Sequence, residues 1–319
     1  MNHPEENSCG STDTEVRPHG LLPINKPPGP SSFDCIRVIR KSCSFPRKWK
    51  IGHLGTLDPF ASGALIIALG QAVRYAEYGL HSVKKYRARL WLGDETDTLD
   101  PLGQVTDSKP VPDDWKERLD EIVNQFTGVI SQVPPAFSAK QVDGKRAYKA
   151  ARDGKIMELK PIEVEVKSLE FGEPDENWVD FVVEVSGGTY IRALARDIAK
   201  ALGTAGHLIG LERISAGPFS IDEALPLESI KAGCTSVYKY HLYPVDRILS
   251  HLPECIVGET AIEKISHGRK LVGGDFESGL PEFDGETGTV RIHDTDGNFR
   301  ALGRTDGDSI IPFKPWDVH

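Results

Sequence analysis

The sequence predicts an α+β fold, in which a mixed and mainly antiparallel sheet with flanking helices is followed by a small β-rich C-terminal module. Residues 84–92 alternate between polar and apolar side chains, which is the period of a half-buried strand. Residues 113–126 and 190–202 instead place apolar side chains at helical spacing. After Leu252, short apolar runs lie between many Gly, Asp and Glu residues, and this change predicts a boundary near residue 248.

The N-terminal half begins with a short apolar strand that runs into a Pro- and Gly-rich turn within residues 20–30. Ser31 or Ser32 can cap the next helix, predicted over residues 33–41, because a serine oxygen accepts hydrogen bonds from the first turn. Residues 58–78 open with an Asp-Pro turn and continue as a helix or a strand rich in Ala, Leu and Ile.

The later elements follow the same two periods. Gly203 is placed to end the helix over 190–202, since glycine adopts the left-handed conformation of a C-terminal cap. The other predicted elements are strands at 162–166 and 179–185, a short helix at 259–267, and a hairpin whose strands 288–293 and 299–303 flank the turn 294–298.

Three segments follow from this organisation. Residues 1–18 are polar and without periodicity, so we expect a disordered leader. Residues 19–248 form the larger domain, and residues 249–319 form the C-terminal module. The longest strongly apolar stretch, residues 63–70, is far shorter than the roughly 20 residues of a membrane helix. Without a signal-peptide pattern, we expect a cytoplasmic protein that does not engage a membrane.

Charge is distributed unevenly along the chain. The net charge of −9 argues against a general nucleic-acid binder. However, residues 37–50 carry six basic side chains and no acid, whereas residues 251–319 carry seven bases and thirteen acids. Residues 140–155 form a second basic cluster with six bases and two acids. Each basic cluster is either a solvated face or a contact surface for phosphates.

The cysteines suggest neither a disulfide framework nor a zinc site. There are five, they are scattered, and no two are separated by only two residues. An odd and scattered set without the paired spacing of a metal site predicts reduced structural thiols.

The densest chemical pattern is residues 52–63, which hold three glycines, His53 and an Asp-Pro pair directly after the first basic cluster. Pro59 disfavours helical geometry at Asp58 and places this carboxylate in a turn. Such an aspartate can act as a nucleophile, a general base or a metal ligand, or it can cap the next element in an Asx turn. His53 has no second ligand at metal spacing, which favours a structural histidine.

Two further segments could carry chemistry. Residues 187–196 place a glycine turn before a helix, an arrangement that can hold an anion. There, Tyr190 can stack on a base, and Arg192 can pair with a carboxylate or a phosphate, or both can simply pack. The acid-rich segment 94–100 lacks the glycine and terminal glutamate of a calcium loop, which favours a solvated loop.

Read in order, these pieces resemble the TruB-type tRNA pseudouridine synthases of bacteria. The resemblance runs from about residue 20 to residue 248, and it weakly extends to a PUA-like module at 249–319. The segments that carry it are GLLPINKPPGPSS at 20–32, GHLGTLDPFASG at 52–63, KY at 85–86, TDT at 96–98, PPAFSAK at 134–140 and GTYIR at 188–192. Thr56 departs from the family, many of whose members carry Ala in this turn.

The resemblance implies that the uridine at position 55 of the tRNA T-arm loop becomes pseudouridine after it is flipped out of the loop. It makes Asp58 the nucleophile and pairs Arg192 with it. It places His53 where the family displaces the base, and it gives substrate-binding roles to Tyr86, Tyr190 and Leu211. The basic clusters then contact the RNA backbone through Arg47, Lys48, Lys50, Lys140, Lys145 and Arg146.

The resemblance also implies an isomerase that needs no cofactor and no metal, because the reaction has no redox step. We expect a monomer that binds the tRNA T arm without an obligate protein partner. The alternative is a tRNA-binding or tRNA-folding module whose catalysis is secondary or lost.

Overall fold

A computed structural model describes residues 18–137, 141–142, 145–146, 159–232, 241–277 and 288–316, with the side chains of residues 141–142, 145–146 and 232 excepted. The predicted leader therefore lies outside the described residues, apart from its last position. Lys140 also lies outside them, and Lys145 and Arg146 are described only as backbone.

Strands dominate the described chain. In chain order they are β1 (Gly20–Lys26), β2 (Ile51–His53), β3 (Ser62–Leu69), β4 (Lys84–Leu92), β5 (Asp94–Thr96), β6 (Val105–Ser108), β7 (Gly128–Gln132), β8 (Gln141–Val142), β9 (Lys145–Arg146), β10 (Ile162–Phe171), β11 (Trp178–Val185), β12 (Gly206–Ala216), β13 (Phe219–Ser220), β14 (Leu225–Pro226), β15 (Glu254–Val257), β16 (Leu271–Val272), β17 (Thr289–Asp294), β18 (Phe299–Asp306) and β19 (Ser309–Pro315).

The helices are fewer and short. They are α1 (Ser32–Ser42), α2 (Ala76–His81), α3 (Leu119–Phe126), α4 (Ile191–Ala201), α5 (Leu227–Ala232) and α6 (Glu259–Ser266), together with 3-10 turns at Gly70–Tyr75, Ile221–Glu223, Val245–Leu249 and Gly273–Asp275. The cap of α1 is Ser31, whose hydroxyl and backbone N–H pair reciprocally with the carboxylate and N–H of Asp34.

The larger sheet has the strand order β14-β1-β3-β12-β4-β11-β10-β7, with β2 and β13 attached to its middle strands. Most neighbours are antiparallel, and β1 with β14 and β3 with β12 are parallel. This confirms the predicted mixed and mainly antiparallel sheet. Helix α4 packs an apolar stripe on one part of the sheet, and α1 packs on the part formed by β1 and β3. Both helices begin beside the loop that joins β2 to β3.

The C-terminal part is a separate five-stranded sheet with the order β15-β17-β18-β19-β16. It confirms the predicted β-rich module and its hairpin. Its own core holds apolar residues from β15 to β19 and from α6. A second contact joins it to the larger sheet, where the ring of Tyr75 meets Phe299 and Trp316 edge to face at 5.7 and 5.8 Å between centroids. The division at residue 248 stays a prediction.

Several local predictions change in the structure. Residues 58–78 contain β3, then a 3-10 turn and the start of α2, so neither a single helix nor a single strand is present. The helix predicted over 113–126 is helical only from Leu119 to Phe126. The long strand β12 was not predicted, because its two glycines and three charged or imidazole side chains conceal the period of a strand.

The cysteine prediction is wrong at one position. Cys43 is disulfide-bonded. Cys35 and Cys255 are buried thiols, as expected of structural cysteines. Within the described ranges, no helix combines the length and the apolar composition that crossing a membrane requires.

The turn between β17 and β18 is organised by one buried carboxylate. Asp294 accepts hydrogen bonds from the backbone and side chain of Asn298 and from Arg300. Burial raises the pKa of Asp294, but these hydrogen bonds and the Arg300 charge outweigh it and lower the pKa to about 2. The carboxylate therefore stabilises the fold above the ordinary aspartate pKa, and this contribution declines as the pH falls towards 2.

We expect Asp294→Asn to lower the free energy of unfolding by about 2 kcal/mol at pH 7, because hydrogen bonds to a charged acceptor are lost. Urea denaturation at pH 7 and at pH 3 measures this difference, which should be smaller at pH 3. Asp296→Asn, an exposed neighbour, is the control and should change little. An equal loss at both pH values would contradict the assignment.

Candidate active site

The loop that holds Asp58 is tied to the surrounding elements through its backbone. The hydroxyl of Ser32, at the start of α1, donates to the carbonyl of Leu57 at 3.0 Å and accepts from its N–H at 2.9 Å. The carbonyl of Pro59 accepts from the N–H of Gly29 at 2.7 Å and from Lys26 Nζ at 3.3 Å. These bonds fix the turn on both sides of Asp58.

Arg213, a buried cation on β12, holds the same loop through hydrogen bonds to its backbone. Its guanidinium donates to the carbonyls of Ala64, Thr56 and Gly55 at 2.7, 3.3 and 3.2 Å. The strand carrying it lies directly against Gly63, which has φ +111° and has no room for a Cβ next to the Arg213 backbone. A glycine is therefore required at position 63 by both conformation and space.

Asp58 forms a two-pronged ion pair with Arg192 in the first turn of α4. Nε of Arg192 donates to Oδ2 at 2.9 Å, and Nη2 donates to Oδ1 at 3.0 Å. The Arg192 side chain is 6% exposed, whereas that of Asp58 is 30% exposed. The carboxylate is thus oriented by a buried guanidinium and still accessible, which is what a nucleophile or general base requires.

The remaining donors of Arg192 hold two other loops. Nη1 donates to the Thr98 carbonyl at 2.7 Å and lies 3.6 Å from the Asp100 carboxylate. Nη2 also donates to the Phe137 carbonyl at 3.1 Å. One buried side chain therefore joins the Asp58 loop, the loop after β5 and the segment after β7. Two carboxylates share its charge.

A cavity of about 380 Å³ opens beside Asp58, within the range of small-ligand sites. Tyr86 and Leu211, each 8% exposed, contribute from β4 and β12. Tyr190, directly before α4, also lines the cavity. The lining side chains and loops are Gly55, Thr56, Leu57, Asp58, Leu80, His81, Lys84, Tyr86, Phe137, Ser186, Gly187, Gly188, Thr189, Tyr190, Ile191, Arg192, Leu211 and Arg213.

Two buried lysines add charges that depend on pH in the neutral range. Burial, together with the charge of the nearby Arg213, lowers the pKa of Lys84 to about 7. Its Nζ donates to the carbonyls of Gly79, Leu80 and Ser82. Burial likewise lowers the pKa of Lys26 to about 8. Deprotonation of Lys84 above pH 7 removes positive charge from the wall of the cavity.

The structure brings together five of the six residues predicted at the substrate site. Asp58, Tyr86, Tyr190, Arg192 and Leu211 all line the cavity. His53 lies on β2 outside this lining, and burial lowers its pKa, with a further contribution from Arg213. Its Nδ1 makes no hydrogen bond to any residue that the structure describes. Arg47, Lys48 and Lys50 are exposed after α1.

Sequence reasoning missed three contributors to the site. Asp100 belongs to the segment 94–100 that was interpreted as solvated, but the residue is 6% exposed and faces Arg192. Lys84 and Arg213 were also not singled out. For Lys84 the signal would be a cation on the apolar side of an alternating strand, since a buried charge needs fixed partners, whereas Arg213 lies in a strand without a clear period.

Among the described residues, the hydrogen bonds to the Asp58 carboxylate come from Arg192 and none comes from a backbone N–H, so this carboxylate does not cap a neighbouring element. Over the part of the chain that the structure describes, no group of three or more His, Cys, Asp or Glu side chains is arranged to hold a metal ion.

Comparison with known proteins places these features in a family. Residues 41–191 match the N-terminal domain of TruB family pseudouridylate synthases, and residues 192–250 match the C-terminal domain of tRNA pseudouridylate synthase B. The chain is 38% identical over 296 residues to tRNA pseudouridine synthase B of Caldanaerobacter subterraneus subsp. tengcongensis, covering 92% of this chain and 97% of the relative. The Aquifex aeolicus protein of the same name is 35% identical over 295 residues, with 92% and 98% covered.

Solved structures share the fold. An H/ACA RNP bound to a substrate RNA containing 2'-deoxyuridine matches with a TM-score of 0.69 and 25% identity, over 94% of this chain and 86% of that chain. A Cbf5-Nop10-Gar1 complex matches with a TM-score of 0.67 and 26% identity, over 91% and 79%. With two family domains matched in order and relatives similar over almost their whole length, the chain belongs to the TruB family of pseudouridylate synthases.

Proposed function

We propose that the chain converts the uridine at position 55 in the T-arm loop of tRNA to pseudouridine. The bidentate pair of Asp58 and Arg192 at the mouth of a base-sized cavity is the observation that carries this proposal. The tRNA substrate is supported by the names of the bacterial relatives. An accessible and oriented carboxylate has no purpose in a module that only binds RNA phosphates, so the binding-module alternative is not favoured.

The proposed reaction breaks the N1–C1′ glycosidic bond, turns the uracil and joins C5 to C1′. N1 then carries a proton and C5 loses one, so the product is an isomer of the substrate. Asp58 is the nucleophile, held ready by Arg192, whose buried guanidinium offsets the loss of water around the carboxylate. The three carbonyls held by Arg213 keep the loop in position while the base turns.

The target uridine must leave its stack to reach the cavity, which takes a few kcal/mol. We propose that Tyr86 stacks on the flipped base, because aromatic stacking offsets roughly 1–3 kcal/mol per base. Tyr190 and Leu211 complete the pocket. His53, which lies on the adjoining strand β2, helps to displace the base from the tRNA loop. Arg47, Lys48, Lys50, Lys140, Lys145 and Arg146 are proposed to contact the RNA backbone.

We further propose that the chain acts as a cytoplasmic monomer, without a cofactor, a metal or an obligate protein partner. The chemistry described above draws on side chains of this chain alone. Sedimentation of the protein with and without tRNA tests the monomer. The PUA-like character of residues 249–319 remains part of the proposal.

The central experiment incubates the purified chain with unmodified tRNA transcript and no added metal or cofactor, then maps pseudouridine by carbodiimide labelling and primer extension. We expect one new pseudouridine at position 55. Asp58→Asn should reduce turnover at least about a thousandfold, because the attacking group is lost. RNA affinity should stay within about tenfold, since phosphate contacts dominate it.

Asp180→Asn is the matched control for this variant, because Asp180 forms an equally bidentate pair with Arg89 on the surface of β4 and β11. It should retain turnover. Substantial activity in Asp58→Asn would exclude the nucleophile assignment, and a product elsewhere in the tRNA would exclude position 55.

Arg192→Lys should lower the single-turnover rate by about a hundredfold while the charge is kept, because an ammonium cannot hold both carboxylate oxygens and two loop carbonyls at once. Rapid-quench kinetics at saturating tRNA measures the rate. Arg89→Lys is the matched control and should behave as wild type. Equal rates for the two lysine variants would show that charge alone suffices.

Binding should weaken steeply with salt, because phosphate contacts release counterions. Changing Arg47, Lys48 and Lys50 together to Gln should flatten the slope of log K against log salt by about 2, on the basis of 0.7–0.9 per phosphate contact. Filter binding between 50 and 300 mM KCl measures the slope. Lys167→Gln, on β10, is the control. An unchanged slope in the triple variant would remove these residues from the RNA interface.

A further inference from the structure

Phe33, at the N-terminal end of α1, is an unusually exposed aromatic residue. The residue is 57% exposed, whereas Cys35, Ile36 and Ile39 are buried against β1 and β3 and Val38 is partly buried there. The Arg37 guanidinium lies over the ring at 4.8 Å from its centroid. The ring is therefore covered in part by a cation and still open to solvent.

The pair is held in place before any ligand arrives. Arg37 Nη1 donates to Asp34 Oδ1 at 2.9 Å, and the other oxygen of Asp34 accepts from the hydroxyl and N–H of Ser31. These bonds neutralise Asp34 and orient the guanidinium. Both partners of this ion pair stay exposed, at 68% for Arg37 and 44% for Asp34, so the pair orients the guanidinium over the ring while leaving it open to a ligand.

The position of Phe33 relative to the cavity follows from its neighbour. Ser32 holds both the N–H and the carbonyl of Leu57, the residue directly before Asp58. Phe33 is the next residue of the helix, about 1.5 Å further along its axis. The start of α1 is therefore tied to the catalytic loop, and the exposed ring of Phe33 lies one residue beyond that contact.

The surroundings are basic. Arg37 and Lys41 follow Phe33 at intervals of four, which places all three on one exposed face of α1. The exposed Arg47 and Lys48 follow α1 in the chain. A protein partner would bury an interface core depleted of charge, whereas RNA offers bases to stack and phosphates to pair with cations.

We propose that Phe33, backed by Arg37, is a stacking platform for an unpaired base that flanks the target uridine in the RNA substrate. The open face of the ring takes the base, and Arg37 and Lys41 take the adjoining phosphates. The platform would hold the strand beside the target while the uridine occupies the cavity. This inference rests on the proposed function, because it requires an RNA substrate with its target at Asp58.

The test uses T-arm hairpin RNAs in which 2-aminopurine replaces one nucleotide at a time on each side of the target uridine. Stacking quenches the fluorescence of this base. The catalytically impaired Asp58→Asn protein serves as the background, so that the bound RNA stays unchanged. We expect quenching at one flanking position that is lost in Phe33→Ala and retained in Phe33→Tyr. Affinity for the hairpin should fall about tenfold in Phe33→Ala only.

Val129→Ala is the matched control, because Val129 is 72% exposed on β7 at the opposite edge of the sheet from β1 and α1. It should leave quenching and affinity unchanged. The same quenching pattern and an affinity within twofold in Phe33→Ala would overturn the platform. A second outcome would also overturn it. If Phe33→Ala, made in the protein that keeps Asp58, converted saturating tRNA more slowly while the quenching was unaltered, Phe33 would act on the catalytic loop instead.

The two proposals fail separately. Quenching is read from binding alone and needs no product. A wild-type chain that makes no pseudouridine in tRNA, yet shows the Phe33-dependent quenching, would overturn the proposed function and leave Phe33 only as a stacking site for RNA. Pseudouridine formed at the target without any Phe33-dependent quenching would overturn the platform alone.

Discussion

The site depends on one buried guanidinium. Arg192 occupies the first turn of α4 and satisfies its donors with the Asp58 carboxylate and with two backbone carbonyls from separate loops. Leaving such a charge without its partners in the interior would destabilise the fold by about 3–5 kcal/mol. The three loops must therefore converge on this side chain. Their convergence creates the cavity and aims the carboxylate in a single arrangement.

Buried cations recur around this centre. Arg213 donates to backbone carbonyls of the Asp58 loop, and Lys84 donates to backbone carbonyls at the C-terminal end of α2. Carbonyls at loops have no ladder partner, and a long basic side chain can satisfy several of them at once. Basic side chains around the cavity therefore donate the hydrogen bonds to these carbonyls that neighbouring strands donate within the sheet. The same residues surround the cavity with positive charge, which suits a site that receives a nucleotide.

The two sheets are joined by an aromatic contact and by a hydrogen bond to the end of β19. Tyr75 meets Phe299 and Trp316, and Arg74 donates to the carbonyl of Pro315. Arg74 and Tyr75 directly precede α2, and carbonyls of α2 accept hydrogen bonds from Lys84. The acidic module is therefore packed against the structure that supports the active site. Its net charge of −6 over residues 251–319 contrasts with the basic cluster at residues 37–50 in the larger domain.

The sequence alone determined the elements whose cause is local. Ser31 and Asp34 cap α1 because they lie three residues apart in the sequence. The strand at 84–92 and the helix after Tyr190 are likewise indicated by the spacing of their own apolar residues. The conspicuous turn at Asp58 was also visible, as were the exposed bases after α1. The resemblance to a family paired Asp58 with Arg192, which no spacing argument could do, since 134 positions separate them.

Only the tertiary structure decided what depends on distant neighbours. The strand β12 lacks a clean apolar period because its Arg213 is buried among carbonyls that come from another part of the chain. Asp100 reads as one more acid in a polar loop, and it is buried because Arg192 supplies its counter-charge. His53 lies next to the catalytic loop in sequence and yet outside the cavity lining. Local pattern reports the environment of one element, whereas the burial of a charge is settled by partners that the fold brings to it.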